Sequence, residues 1–200
     1  MTQSYWDNKS DTYQFPGSPV LKNLAEIREQ ALLDAFEQRA TALRLDEVMQ
    51  AIGDDPVNLA LWKKIHQILF QNVYEWAGRI RTVQLAKGTT VFAMPQYIEL
   101  EGKRIFAEFD REDLILTDTT QLASRFAYYF AELNILHPFR EGNGRTQKLL
   151  FDEIARRYGY IIEWARIDRN YLLQALITAF QEQDYKILET LFEAALIAKC

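Results

Sequence analysis

The chain has 200 residues, of which 48% are hydrophobic and 26% are charged, and its formal net charge is −5. These proportions are typical of a globular protein and exclude a largely disordered chain. The acidic balance argues against direct nucleic-acid binding, because neutralising phosphates requires a basic surface, and apolar runs such as residues 194–198 are too short to cross a bilayer.

Two helical stripes are expected in the first 78 residues. A loop signal at residues 15–19 precedes the first stripe, with Ser18 placed to cap a helix whose first residue is Pro19. The second stripe is expected to stop at Gly78. Its apolar members are Trp62, Ile65, Leu69, Val73 and Trp76.

A β-hairpin is expected to interrupt the helical pattern after Gly78. Residues 80–85 alternate between apolar and polar side chains, Lys87 and Gly88 supply a turn, and residues 90–93 follow before Pro95. The hairpin is therefore expected to span residues 80–93.

The rest of the chain is interpreted as helical. Apolar residues spaced along one helix face lead up to Leu136, where Pro138 disfavours the helical conformation for His137 and ends the helix. A further helix is predicted from about Gly144 to Gly159, and two more apolar stripes follow it. The predicted fold class is all-α, a helical bundle with one short β-hairpin lying on it.

The residues that carry chemistry form the segment His-Pro-Phe-Arg-Glu-Gly-Asn-Gly-Arg at positions 137–145. Its glycines let the backbone approach a ligand closely, and free amides at the start of the next helix form an anion site. Arg145 can contact phosphate through two N–H groups, and Glu141 suits Mg²⁺ held together with substrate phosphates. A neutral His137 can accept a proton from an attacking hydroxyl. These groups predict phosphate-transfer chemistry with a nucleophile supplied by a second substrate.

This segment resembles the motif of the Fic family, H-x-F-x-(D/E)-G-N-G-R-x-x-R, at every specified position from His137 to Arg145. Residues 73–83, the hairpin at residues 87–95 and residues 133–136 also resemble that family. The resemblance covers residues 16–195 and implies a Fic-type helical bundle, with residues 1–200 forming a single Fic domain.

The resemblance implies a protein adenylyltransferase, which moves AMP from ATP to a Ser, Thr or Tyr hydroxyl of a target protein. His137 would be the base, Phe139 would anchor the loop in the core, and Glu141 would hold Mg²⁺. The groups that would contact the nucleotide belong to Gly142, Asn143, Gly144, Arg145 and Lys148. The hairpin would act as a flap that docks the target by strand addition, through Thr90, Val91 and Phe92.

One position departs from the family motif, since its last arginine falls at Lys148 and the planar guanidinium fork is lost there. Two alternatives to AMP transfer stay open. The first is a Fic-fold transferase that uses another nucleotide or group, although relatives that phosphorylate carry a bulkier residue in place of Gly144. The second is a catalytically weak domain that only binds a partner.

Two aromatic residues have more than one interpretation. Phe92 is either a flap residue that touches the target or a packing anchor. His66 lies in the Trp62 stripe and is interpreted as a packing or surface residue.

Many Fic relatives carry an inhibitory helix of pattern (S/T)-x-x-x-E-(G/N), and this sequence has no match to it. Only Glu101 and Glu141 precede Gly or Asn, and Tyr97 and His137 stand four residues before them. The inhibitory glutamate is therefore expected to come from a separate small antitoxin protein. The chain would then be the toxin of a toxin–antitoxin pair, with a bacterial type II topoisomerase as the favoured target.

The location expected for the protein is the bacterial cytoplasm. Residues 1–10 are polar and contain no secretory signal, and the only cysteine is Cys200, which leaves no material for a disulfide. Secretion as an effector, by a route that needs no cleaved signal, remains an alternative.

Overall fold

Eight α-helices, one short 3-10 helix at Trp164–Arg166 and two small sheets are present in the computed structural model, which describes residues 11–88, 90–112 and 118–199. Residues 1–10 and Cys200, on which the expectations about secretion and disulfides rest, lie outside the described residues. The helices are Gln30–Ala42 (α1), Leu45–Ile52 (α2), Leu59–Phe70 (α3), Pro95–Arg111 (α4), Thr119–Leu136 (α5), Asn143–Arg157 (α6), Arg169–Glu182 (α7) and Lys186–Ala195 (α8). The strands are Ala86–Lys87 (β1), Thr90–Val91 (β2), Tyr160–Ile162 (β3) and Leu196–Ala198 (β4). The predicted all-α bundle with a short hairpin is confirmed.

Helix α5 lies at the centre of the bundle and packs against α4, α6, α7 and α8. It begins where the side chain of Asp118 accepts a hydrogen bond from the backbone N–H of Gln121, 2.8 Å away. Its stripe of buried side chains includes Phe126 and Phe130, which pack edge-to-face on Phe151 of α6. Burial of each such ring contributes about 2–3 kcal/mol, so this contact fixes the relative placement of α5 and α6.

The helix predicted to begin at Ser18 and Pro19 is wrong, because α1 begins only at Gln30. The Ser18 hydroxyl accepts a hydrogen bond from the backbone N–H of Val20 in a local turn. Downstream, Leu21 pairs with Gln14 in an antiparallel bridge. Because this turn and this bridge supply hydrogen bonds to the backbone, the segment is extended, although its apolar spacing fits a helix.

The predicted extent of the second stripe is also wrong. Helix α3 ends at Phe70, and the chain then passes through consecutive turns to Gly78. The carbonyl of Phe70 accepts hydrogen bonds from the N–H groups of both Val73 and Tyr74. Val73 is still buried, so the apolar spacing continues after the helix has stopped.

The hairpin is shorter than predicted, because residues 80–85 are not a strand and only Ala86–Lys87 pairs with Thr90–Val91. The second sheet, in which β3 pairs with β4 near the end of the chain, was not predicted. Its strands of three residues are too short to show a period of two. Within the described residues, none of the helices has the length and apolar character needed to span a bilayer.

Candidate active site

The loop between α5 and α6 begins at His137, whose backbone is left-handed with φ 43° and ψ 60°. This conformation is uncommon for residues other than glycine. Pro138 disfavours the right-handed helical region for the residue before it, so the turn out of α5 has a local steric cause.

The loop is closed by Asn143 and anchored by Phe139. The Asn143 Oδ1 atom accepts the backbone N–H of Phe139 at 2.8 Å, and Nδ2 donates to the Phe139 carbonyl at 2.7 Å. Phe139 is fully buried, with its ring stacked on His66 and edge-on to Trp62. The amide of Asn143 therefore shapes the loop, with both of its polar atoms engaged.

Two glycines flank Asn143, and they differ in how strictly the structure requires glycine at their positions. Gly142 has φ +82°, and a Cβ atom there would lie 2.3 Å from the ring of Phe70, so backbone strain and a steric clash both require glycine. A Cβ atom on Gly144 would meet nothing within 4 Å. No side chain of the described residues caps the N-terminus of α6. The N-terminus of α6 is thus uncapped and has open space beside Gly144, which is compatible with an anion site.

His137 is a neutral base with one free nitrogen. Its Nδ1 atom lies 3.1 Å from the carbonyl of Asn134, which assigns the ring proton to Nδ1 and the lone pair to Nε2. Among the described residues, none forms a hydrogen bond with Nε2. Burial lowers the pKa of His137 to about 3, and the positive charge of Arg81 acts in the same direction. The imidazole is therefore neutral at physiological pH.

Phe92, directly after β2, covers His137. The two rings are stacked, with centroids 3.8 Å apart and planes inclined by 13°. Phe92 is buried, whereas Val91 is 44% exposed and Thr90 is intermediate. In this structure Phe92 packs on the proposed base, and Val91 is the residue of the three that the hairpin presents outward.

Arg81 connects the hairpin to the loop and was not identified from the sequence. Its side chain is only 1% exposed, and its Nε atom donates to the carbonyl of His137 at 2.8 Å. Its two terminal nitrogens donate to the carbonyls of Val83 and Ala93, each at 2.6 Å. Burial lowers the pKa of Arg81 to about 10, which leaves it charged at neutral pH. The guanidinium therefore fixes both ends of the hairpin against the backbone of His137.

His66 supports the loop from the core side. Its Nδ1 atom accepts the backbone N–H of Gly78 at 2.8 Å, and its Nε2 atom lies 3.0 Å from the carbonyl of Glu141. The sequence predicted a packing or surface residue, and the structure shows a buried one that also bonds two backbone segments.

The charged residues of the site lie at the start of α6. The Glu141 side chain is 48% exposed, and its Oε1 atom accepts the N–H of Gly142 at 2.8 Å. The guanidinium of Arg145 lies over the ring of Phe70 and forms an ion pair with Glu37. Lys148, on the same side of α6 as Arg145, has its Nζ atom 4.7 Å from the centre of the Trp164 ring. One exposed carboxylate and two cations thus stand beside the open N-terminus of α6.

A resident metal cage is not present in the described part of the chain, where no group of three or more His, Cys, Asp and Glu side chains could hold an ion. A single exposed carboxylate is nevertheless the usual protein contribution to Mg²⁺ that is bound mainly by substrate phosphates. Glu141 fits that role.

Residues 56–155 match the model of the Fic/DOC family. A protein named probable protein adenylyltransferase y4lH, from Sinorhizobium fredii, is 39% identical over 172 residues, which are 85% of this chain and 88% of that protein. A probable protein adenylyltransferase Fic from Escherichia coli is 33% identical over 166 residues, which are 82% of each chain.

A solved structure with the same fold contains a bound nucleotide. It is the N-terminal Fic domain of a VirB-translocated Bep effector protein from Bartonella quintana with bound ADP. Its TM-score is 0.81 at 25% sequence identity, with 94% of this chain and 95% of that chain covered.

Proposed function

The chain belongs to the Fic/DOC family, and we propose that it transfers AMP from ATP to a hydroxyl group of a target protein. One observation carries this proposal: the free Nε2 atom of His137 stands at one end of a loop whose other end is the uncapped N-terminus of α6. The base and the anion site are separated by six residues. The base would serve the acceptor hydroxyl and the anion site would bind the nucleotide, so both substrates of the transfer are provided for.

In the proposed reaction the acceptor hydroxyl attacks the α-phosphorus of ATP. An oxygen–phosphorus bond forms to the acceptor, the bond from the α-phosphorus to the bridging oxygen breaks, and pyrophosphate leaves with the electron pair. The hydroxyl proton passes to Nε2 of His137, which burial keeps neutral. The negative charge of bound ATP raises the pKa of this imidazole and so improves it as a base.

The phosphates are bound by the N-terminus of α6. Its backbone amides have no side-chain cap, the space beside Gly144 is open, and Arg145 and Lys148 add positive charge on the neighbouring turns. We assign Asn143 to shaping this cradle, since both its polar atoms bond to Phe139. The ADP-bound relative supports a nucleotide as the ligand.

Glu141 is the residue that would hold Mg²⁺, together with the phosphates. When bound, Mg²⁺ would neutralise phosphate charge and assist departure of pyrophosphate. The hydrogen bond from Gly142 to Oε1 of Glu141 orients the carboxylate for this contact.

The finer parts of the proposal concern partners. The target segment would add to the hairpin beside Val91 as an extended strand, and the favoured target is a type II topoisomerase. The absence of the (S/T)-x-x-x-E-(G/N) pattern from the sequence supports a separate antitoxin that supplies the glutamate, with the chain acting in the bacterial cytoplasm. Because the relative from Bartonella quintana is a translocated effector, secretion is the competing location.

Labelling of a bacterial lysate tests the reaction. Purified protein is incubated with lysate, Mg²⁺ and ATP that carries the label on either the α- or the γ-phosphate, with His137→Ala as the matched control. We expect label on a protein band from the α position only, and none with His137→Ala. Label from the γ position would overturn AMP transfer in favour of phosphorylation. The absence of label from both, with nucleotide still bound, would indicate a binding domain.

A further inference from the structure

The phosphate-binding arginine proposed above is held by a carboxylate far away in the sequence. The Nη2 atom of Arg145 lies 2.5 Å from Oε1 of Glu37, a residue of α1. The next carboxylate, Glu141, is 3.5 Å from the same nitrogen and is four times more exposed, at 48% against 11% for the Glu37 side chain. Glu37 is therefore the principal acidic partner of Arg145.

Glu37 is itself fixed from the other side. Its second oxygen accepts a hydrogen bond from the hydroxyl of Tyr74, which lies in the segment of residues 73–83. The Tyr74 ring is buried and stacks on Trp76, with ring centroids 4.3 Å apart. Burial and the charge of Glu37 raise the pKa of Tyr74, so its hydroxyl stays protonated and acts as the donor.

We infer that Glu37 and Tyr74 are positioning residues, which orient the guanidinium of Arg145 for the outer phosphates of the nucleotide. This inference rests on the proposed function. Arg145 has five N–H donors in a rigid plane, and Glu37 engages one edge of that plane while Phe70 supports its face at 4.8 Å. The remaining donors are held in one orientation before the nucleotide binds, which reduces the entropy lost on binding.

A second arrangement would be a removable inhibitory contact, in which Glu37 competes with phosphate for Arg145. The placement of Glu37 argues against it. Glu37 lies on the buried face of α1 with Leu33 and Thr41, one helical turn before and after it. A carboxylate on that face, bonded through both oxygens, cannot leave without moving α1. The phosphate must bind while Glu37 stays in place.

The test compares a nucleotide that reaches Arg145 with one that does not. Binding of AMPPNP with Mg²⁺, and of AMP, is measured by calorimetry for wild type, Glu37→Gln and Tyr74→Phe. The control is Asp34→Asn, which makes the same charge change at an exposed position of α1. We expect Glu37→Gln to weaken AMPPNP binding about tenfold, the equivalent of one charge-assisted hydrogen bond, and Tyr74→Phe about threefold. AMP binding and the behaviour of Asp34→Asn should match wild type.

The outcomes separate the inference from the proposed function. Wild-type protein that binds neither nucleotide would contradict the proposed function itself. Equal or tighter AMPPNP binding by Glu37→Gln would show competition rather than positioning, and equal losses for AMPPNP and AMP would show a general structural role; either result overturns the inference. If thermal unfolding shows that Glu37→Gln does not fold, Tyr74→Phe decides, because it keeps the ion pair and removes only one donor.

Discussion

The two histidines of the chain lie in similar surroundings but form different hydrogen bonds. Each ring stacks on a phenylalanine, His66 on Phe139 at 3.9 Å and His137 on Phe92 at 3.8 Å. Burial lowers the pKa of each to about 3. His66 has both nitrogens engaged by backbone groups, whereas the described residues engage only Nδ1 of His137. The shifted pKa therefore does not distinguish the proposed base, whereas the Nε2 atom of His137, which has no partner among the described residues, does.

This difference in hydrogen bonding gives the two ends of the loop different roles. His66 connects the carbonyl of Glu141 to Gly78 and so holds the loop from within the core. His137 lies at the other end of the loop, stacked under Phe92, and its Nε2 atom has no hydrogen-bond partner among the described residues. The same side chain chemistry therefore serves structure in one region and, in the proposed reaction, proton transfer in the other.

The largest effects are expected when the same substitution, to leucine, is made separately at each histidine. His137→Leu should lower the rate of AMP transfer about a thousandfold, the usual contribution of a general base, with little change in the free energy of unfolding. His66→Leu should lower that free energy by about 3 kcal/mol, because the Gly78 N–H and the Glu141 carbonyl lose their buried partner. Urea unfolding and the initial rate of α-label transfer measure the two quantities.

The comparison fails if the two variants behave alike. A thousandfold loss of rate in His66→Leu protein that remains folded would mean that the supporting contact is as important to the reaction as the base. Retained activity in His137→Leu would remove His137 from the mechanism. Nucleotide binding, measured for both variants, controls for collapse of the anion site.

The contrast also explains what sequence reasoning can find. His137, Glu141 and Arg145 stand within nine residues, so a local motif contains them. The contacts of Glu37 with Arg145 and of Arg81 with His137 span 108 and 56 residues, and no local pattern indicates them.

The fold shows the same division between local and distant causes. Helices α5 to α8 follow apolar stripes that were predicted, and α5 and α6 also have stop signals of their own at Pro138 and Gly159. The bounds of α1 and α3 were predicted wrongly, and the non-helical segments beside them are joined by a distant hydrogen bond from the N–H of Leu24 to the carbonyl of Val73. Apolar spacing indicates which residues are buried, and buried residues occur in extended segments and turns as well as in helices.

An intermediate effect is expected from Phe92→Ala, which uncovers the ring of His137. The pKa of His137 should then rise from about 3 toward its ordinary value of 6.5, with Arg81 and Lys87 holding it somewhat lower. Only the neutral imidazole accepts a proton, so kcat/KM of the variant should fall about fivefold as the pH drops from 7.5 to 5.5. Wild type should show no such decline from this group.

The pH profile separates this effect from a general loss of packing. Phe180→Ala, at an exposed phenylalanine of α7, serves as the control and should keep the wild-type profile. A uniform loss of rate in Phe92→Ala at every pH would mean that Phe92 positions the hairpin without influencing the charge of His137. His66, covered by a different ring, should remain neutral throughout, and its nuclear magnetic resonance shifts check this.

The smallest effect is expected from a substitution at Lys148, a residue that contacts neither histidine. Its ammonium packs on Trp164, whose Nε1 atom donates to Asp152 at 2.7 Å. A guanidinium can stack on the same ring and also offer two N–H groups to the outermost phosphate. Lys148→Arg should therefore lower the KM for ATP about threefold and leave AMP binding unchanged, which steady-state labelling and calorimetry measure. If Lys148→Arg and Lys148→Ala both leave the KM unchanged, Lys148 lies outside the nucleotide site, and the anion site ends at Arg145.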